Sequence, residues 1–106
     1  MVTIDPKYNL LTLINTFEVD PEKTNELLNV LQNATSEVME KYEGFVSASF
    51  HVSKDKKYLT NYAQWRNIDY FNKMLDSPKA QKHMKIAKDI SISYHPILYD
   101  VVATYE

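Results

Sequence analysis

From Leu10 to Val19 the chain alternates, with Leu11, Leu13, Asn15 and Phe17 on one side of an extended segment and Thr12, Ile14 and Thr16 on the other. A period of two with β-branched residues predicts a strand. Asp20-Pro21-Glu22 then reads as a helix start: a side chain to accept the free amides, a proline suited to the first turn, and an acid at the positive end of the dipole. Leu27, Leu31, Ala34, Val38 and Tyr42 recur at helical spacing, and Gly44, the only glycine, marks the expected stop. Phe45 to Ser53 and Tyr58 to Trp65 are two further strands joined by the charged turn Lys54 to Lys57, which makes them a hairpin. Asn67 caps a second helix carrying Tyr70, Phe71, Met74 and Leu75. Ser77-Pro78 restarts that helix, and Ala80, Met84, Ala87 and Ile90 continue its apolar side. A final β-rich run, Ile97 to Tyr105, is entered through a turn at His95-Pro96.

The order strand, helix, strand, strand, helix, strand is the ferredoxin-like βαββαβ arrangement, an α+β fold with one antiparallel sheet. Its first and third strands lie side by side at the centre, which makes Asn15 and Asn61 near neighbours. Two helices cover one face of such a sheet, yet both faces carry apolar residues: Ile14 and Tyr62 on one, Leu13, Phe17 and Trp65 on the other. A twofold homodimer with sheet packed on sheet is the expected solution.

Composition narrows the function. A chain of 106 residues with 44% hydrophobic and 25% charged content supports one domain, 1–106. The net charge of −2, with both signs interleaved, lacks the footprint of a nucleic-acid binder. No cysteine is present, so disulfides, thiolate metal sites and cysteine nucleophiles are excluded. His51, His83 and His95 lack the spacing of metal ligands, and one glycine cannot build a phosphate loop. Without a basic start or a long apolar segment at its N-terminus, and with no stretch of membrane-spanning length, the chain is expected to be cytoplasmic.

The run Asn61-Tyr62-Ala63-Gln64-Trp65 carries the chemistry. By the count of two it puts a carboxamide and an indole on the same face as Leu59 and Ala63. A buried amide without a partner costs roughly 1–3 kcal/mol, so Asn61 bonds either to the protein or to a visiting ligand. About 13 Å of extended strand separates residues 61 and 65, with small Ala63 between them, a floor long enough for two or three fused rings.

These residues, together with Gly44-Phe45-Val46-Ser47-Ala48-Ser49-Phe50-His51, closely resemble the antibiotic biosynthesis monooxygenase family, and within it the actinorhodin-pathway enzyme that oxidises a tricyclic anthrone to a quinone. The resemblance runs from about Leu13 to Ser77-Pro78. It implies a dimeric α/β barrel with one pocket per subunit, a small polycyclic or phenolic substrate, O2 as co-substrate and no cofactor. By resemblance, Asn15, Asn61 and Trp65 are the catalytic polar residues; Phe17, Ala63, Tyr70, Phe71, Met74 and His83 complete the candidate substrate-contacting set. Triplet oxygen reacts slowly with closed-shell organics, so such an enzyme needs a substrate that becomes an electron-rich carbanion or phenolate. The protein then binds a flat aromatic, stabilises the developing oxyanion and excludes water. The tyrosine and arginine that the actinorhodin-type enzyme uses for proton handling read Phe71 and Met84 here, which leaves the proton acceptor open. A haem-binding or haem-degrading protein of the same superfamily and a non-catalytic dimeric ligand-binding module are the alternatives.

Overall fold

The computed structural model describes residues 2–106. Four strands and three α-helices follow one another as β1 (Leu11–Glu18), α1 (Thr24–Glu37), β2 (Phe45–Val52), β3 (Tyr58–Trp65), α2 (Ile68–Leu75), α3 (Pro78–Ile90) and β4 (Ser93–Tyr99). The sheet is antiparallel in the order β2-β3-β1-β4, so the expected first and third strands do form its centre. This is the ferredoxin-like α+β architecture. The helices pack on one face. Phe17, Val19, Leu27, Leu31, Leu59 and Ala87 form one part of the core, and Leu13, Val38, Ala63, Trp65, Phe71 and Met74 another. Each large side chain so buried contributes about 1.5–3 kcal/mol.

Asn67 and Ser77 cap helices as expected, whereas Asp20 caps a short turn before α1, which itself starts at Thr24 behind Lys23 with no side-chain cap bond. Asp20 accepts from the Glu22 amide at 3.0 Å, opening a 3-10 turn at Pro21–Lys23 that leads into α1. Asn67 Oδ1 accepts from the amides of Asp69 and Tyr70 at the start of α2, and Ser77 Oγ from the Ala80 amide at the start of α3. In the hairpin turn, the Ser53 hydroxyl and the Lys57 amide donate to Asp55 at 2.6 and 3.0 Å, and these bonds hold its carboxyl below the usual range.

Three further boundaries differ from expectation. The first helix ends at Glu37, not near Gly44, and a 3-10 turn at Met39–Lys41 follows. Its last turn carries Thr35 and Ser36, whose hydroxyls donate to the carbonyls of Leu31 and Asn33, the local competition that weakens a helix end. Gly44 therefore terminates no helix. It sits at φ +90° in the turn into β2, and a Cβ there would lie 2.3 Å from Tyr70 Cγ. The last strand is Ser93–Tyr99, not Ile97 to Tyr105, and it takes in His95 and Pro96, which were expected to form a turn. β4 is an edge strand, where a proline lacking its N–H is tolerated when that side faces away from the neighbour.

The face away from the helices is open. His51 is exposed there. Gln64 is buried on this face by the N-terminal segment: its Nε2 donates to the Thr3 carbonyl at 2.9 Å and its Oε1 accepts from Ser47 Oγ at 2.8 Å. Ile97 and Tyr99 of β4, paired with Ile14 and Thr12, stay about half exposed at 49% and 43%.

Candidate active site

Cross-strand register sets the centre of the site. Asn15 pairs with Asn61, Leu13 with Ala63 and Leu11 with Trp65, so both carboxamides emerge side by side on the helix-facing side of β1 and β3. Between this face and the helices lies a cavity of about 450 Å³, within the roughly 300–1,000 Å³ usual for small-molecule sites. Asn15 is 4% exposed, and the side-chain oxygens of both Asn15 and Asn61 are buried without a hydrogen-bond partner. An acceptor left in this state costs about 1–3 kcal/mol, a cost that a hydroxyl-bearing guest removes. Neither carboxamide oxygen is spent on the protein's own backbone.

The walls are mostly apolar. At one end Trp65, 2% exposed, meets Phe45 edge-on at 5.5 Å between ring centroids and Phe71 at 6.0 Å. Towards β4, Phe17 packs against Tyr94 with centroids 6.4 Å apart, and Lys88 Nζ lies 5.0 Å from the centre of the Tyr94 ring. On the helix side Met74 of α2 and His83 of α3 complete the lining. His83 Nε2 is 3.7 Å from Glu37 Oε2 at the end of α1. Among the described residues no three or more histidine, cysteine or acidic side chains are grouped so that they could hold a metal ion, and no helix is long and apolar enough to cross a membrane.

The fold thus brings together Asn15, Phe17, Asn61, Ala63, Trp65, Phe71, Met74 and His83 around one hollow. Tyr70 does not line it. Adjacent to Phe71, it is turned aside by the helical rotation, lies over Gly44 and directs its hydroxyl to Glu43 Oε1 at 3.5 Å. Sequence reasoning missed Lys88 and Tyr94. Lys88 follows Met84 by one helical turn and falls on the same stripe, which a charge-blind count of spacing would have included. Tyr94 lies in the part of β4 that precedes Ile97, where the sequence pattern predicts the strand to begin.

A family model described as antibiotic biosynthesis monooxygenase matches residues 10–86. The chain belongs to the antibiotic biosynthesis monooxygenase family. This family member is 42% identical over 91 residues to tetracenomycin-F1 monooxygenase of Streptomyces glaucescens, covering 86% of its own length and 81% of the relative's. Its fold matches the monooxygenase from the gene ActVA-Orf6 of Streptomyces coelicolor, solved in complex with nanaomycin D, with a TM-score of 0.84 at 20% identity over 96% of this chain and 95% of that one. It also matches SnoaB, a cofactor-independent oxygenase from Streptomyces nogalater, with a TM-score of 0.75 at 20% identity over 91% and 96% of the two chains. The protein is an enzyme of the monooxygenase class.

Proposed function

We propose that this monooxygenase works without a cofactor, using O2 to convert an electron-rich, hydroxylated polycyclic aromatic of the anthrone or hydroquinone kind into a quinone-type product. The carrying observation is the pair of buried, unpartnered carboxamide oxygens of Asn15 and Asn61, on paired positions of β1 and β3, in a mostly apolar hollow. A flat ring system fills the apolar volume between Trp65, Phe71 and Phe17, and its hydroxyl groups meet the two carboxamides, whose N–H groups in turn stabilise the oxyanion left by deprotonation. Ala63 leaves the floor low between Asn61 and Trp65.

The relative named for tetracenomycin F1 and the neighbour solved with nanaomycin D support this choice of substrate class. The oxidation needs no external reductant. A ring CH2 and one O2 give a carbonyl and one water, four electrons passing from carbon to oxygen. The enzyme is a cytoplasmic homodimer in this reading, its open sheet face covered by a second copy through Ile14, Tyr62, Ile97 and Tyr99.

Oxygen uptake with hydroxylated anthrones and hydroquinones tests the reading. Enzyme-dependent consumption of one O2 per quinone, with one ¹⁸O atom from labelled O2 entering an anthrone-derived carbonyl, is expected. No uptake above the spontaneous rate across the panel contradicts it.

A further inference from the structure

The cavity needs a group that accepts the substrate's proton. Among the described residues lining it, His83, Lys88 and Tyr94 are the ionisable ones, and no carboxylate reaches the hollow. Of these three side-chain types only imidazole ordinarily accepts a proton at neutral pH. Lys88 is also committed to the face of the Tyr94 ring. His83 is different in placement as well as in chemistry. Its side chain is 21% exposed, so it borders the hollow without lying open to solvent, and Nε2 is 3.7 Å from the carboxylate of Glu37, itself 64% exposed. Imidazole therefore stands between the cavity and a carboxylate in water.

The geometry points to His83 as the catalytic base of this enzyme, with Glu37 as the positioning residue beside it, 3.7 Å away and so linked to the ring through a bridging water on the proton's way outward. The inference rests on the reading of the cavity as an oxygenase site. His83 removes a proton from the activated ring carbon, and the electron pair stays on the substrate as a carbanion delocalised into the oxygen held at Asn15 and Asn61. The carbanion reduces O2 and forms a C–O bond, giving a peroxide anion that takes a proton from water, one for the one His83 removed. Loss of the second hydrogen on that carbon as a proton breaks the O–O bond and expels hydroxide. Hydroxide and that proton leave as water. The proton on His83 exits to water on the Glu37 side, so the base is reset each turn.

The test uses the full chain with 1,8-dihydroxyanthrone in air, corrected for spontaneous oxidation. H83A is expected to lower kcat by about 10²–10⁴-fold, the usual span for removal of a general base. Affinity for 1,8-dihydroxyanthraquinone should stay within a few fold, and added imidazole should restore turnover, as no purely structural role of the ring would allow. H83Q, which keeps bulk and polarity, should show the same loss with an unchanged melting temperature. E37Q should lower kcat in the wild-type background and add nothing to H83A. Turnover of H83A and H83Q within threefold of wild type, or a loss in both that imidazole leaves untouched, overturns the assignment while the oxygenase reading stands. Absence of turnover in the wild type overturns both.

Discussion

Asn15 and Asn61 lie directly opposite each other on β1 and β3, and neither side-chain oxygen meets a donor. Two buried acceptors held together in this way oppose folding and favour binding. Thr12 Oγ1 and Tyr62 OH are buried without partners too, but outside the hollow; in the function proposed above, only the asparagine pair faces a guest that would relieve its cost.

Replacing Asn61 by leucine should therefore separate the two properties. N61L is expected to lose about 10²-fold in kcat/KM, the usual cost of removing one group that stabilises a developing oxyanion. Its stability should be unchanged or raised by about 1 kcal/mol, because an unsatisfied acceptor leaves the interior. Thermal melts beside oxygen uptake check both halves. A variant that is destabilised and fully active would show that the carboxamide serves the fold.

Gly44 and Tyr70 make a second pair whose meaning is structural. With φ at +90° and only 2.3 Å between a built Cβ and Tyr70 Cγ, G44A combines backbone strain with a clash against a half-buried ring. A loss of about 2–4 kcal/mol is expected. Y70A should relieve part of it, so that the double variant is more stable than the sum of the single effects predicts, as chemical denaturation of all four proteins would reveal.

Much of this was legible in the sequence, and the parts that were not share a cause. The alternation of Leu13, Asn15 and Phe17, and of Asn61, Ala63 and Trp65, depends on strand geometry alone, so it placed the face and the asparagine pair correctly. The caps Asn67 and Ser77 act within one helical turn and were equally readable, while Asp20 caps the short turn ahead of α1. Gly44, Tyr70 and the start of β4 were not, because each is decided by a partner distant in the chain. A left-handed glycine after a helical stretch looks like a helix stop until Tyr70 is seen over it. Pro96 looks like a turn until the edge position of β4 is known. His83 was readable as a candidate by its position on the second helical segment, but its pairing with Glu37 joins two helices and appears only in three dimensions.

The hairpin turn offers a prediction about pH. The folded carboxyl of Asp55 ionises more readily than the ordinary value of 3.8, through its bonds to Ser53 and Lys57. A lowered carboxyl favours the folded state above the unfolded value and loses that contribution as pH falls through the folded one. Wild type should accordingly melt above D55A at pH 6, and the gap should narrow as the pH is taken below 3.8. Paired melting curves across that range check it; a gap that widens in acid would contradict the origin given.

The open face of the sheet gives a fourth expectation. Ile97, 49% exposed and opposite Ile14 in the register, lies in the surface assigned to a second copy. Sedimentation should find the wild type as a dimer, and I97E shifted strongly to monomer. A monomeric wild type at micromolar concentration would remove the second copy from the account.

The central claim is that the hollow between sheet and helices receives a planar aromatic at Asn15 and Asn61. Trp65, the only tryptophan of the chain, lines that hollow and reports on its occupancy. Titration with 1,8-dihydroxyanthraquinone, followed by tryptophan fluorescence, should give saturable quenching at one ligand per chain, with an affinity about tenfold weaker in N61L, equivalent to about 1.4 kcal/mol. Quenching that never saturates, or that is identical in the two proteins, would contradict it.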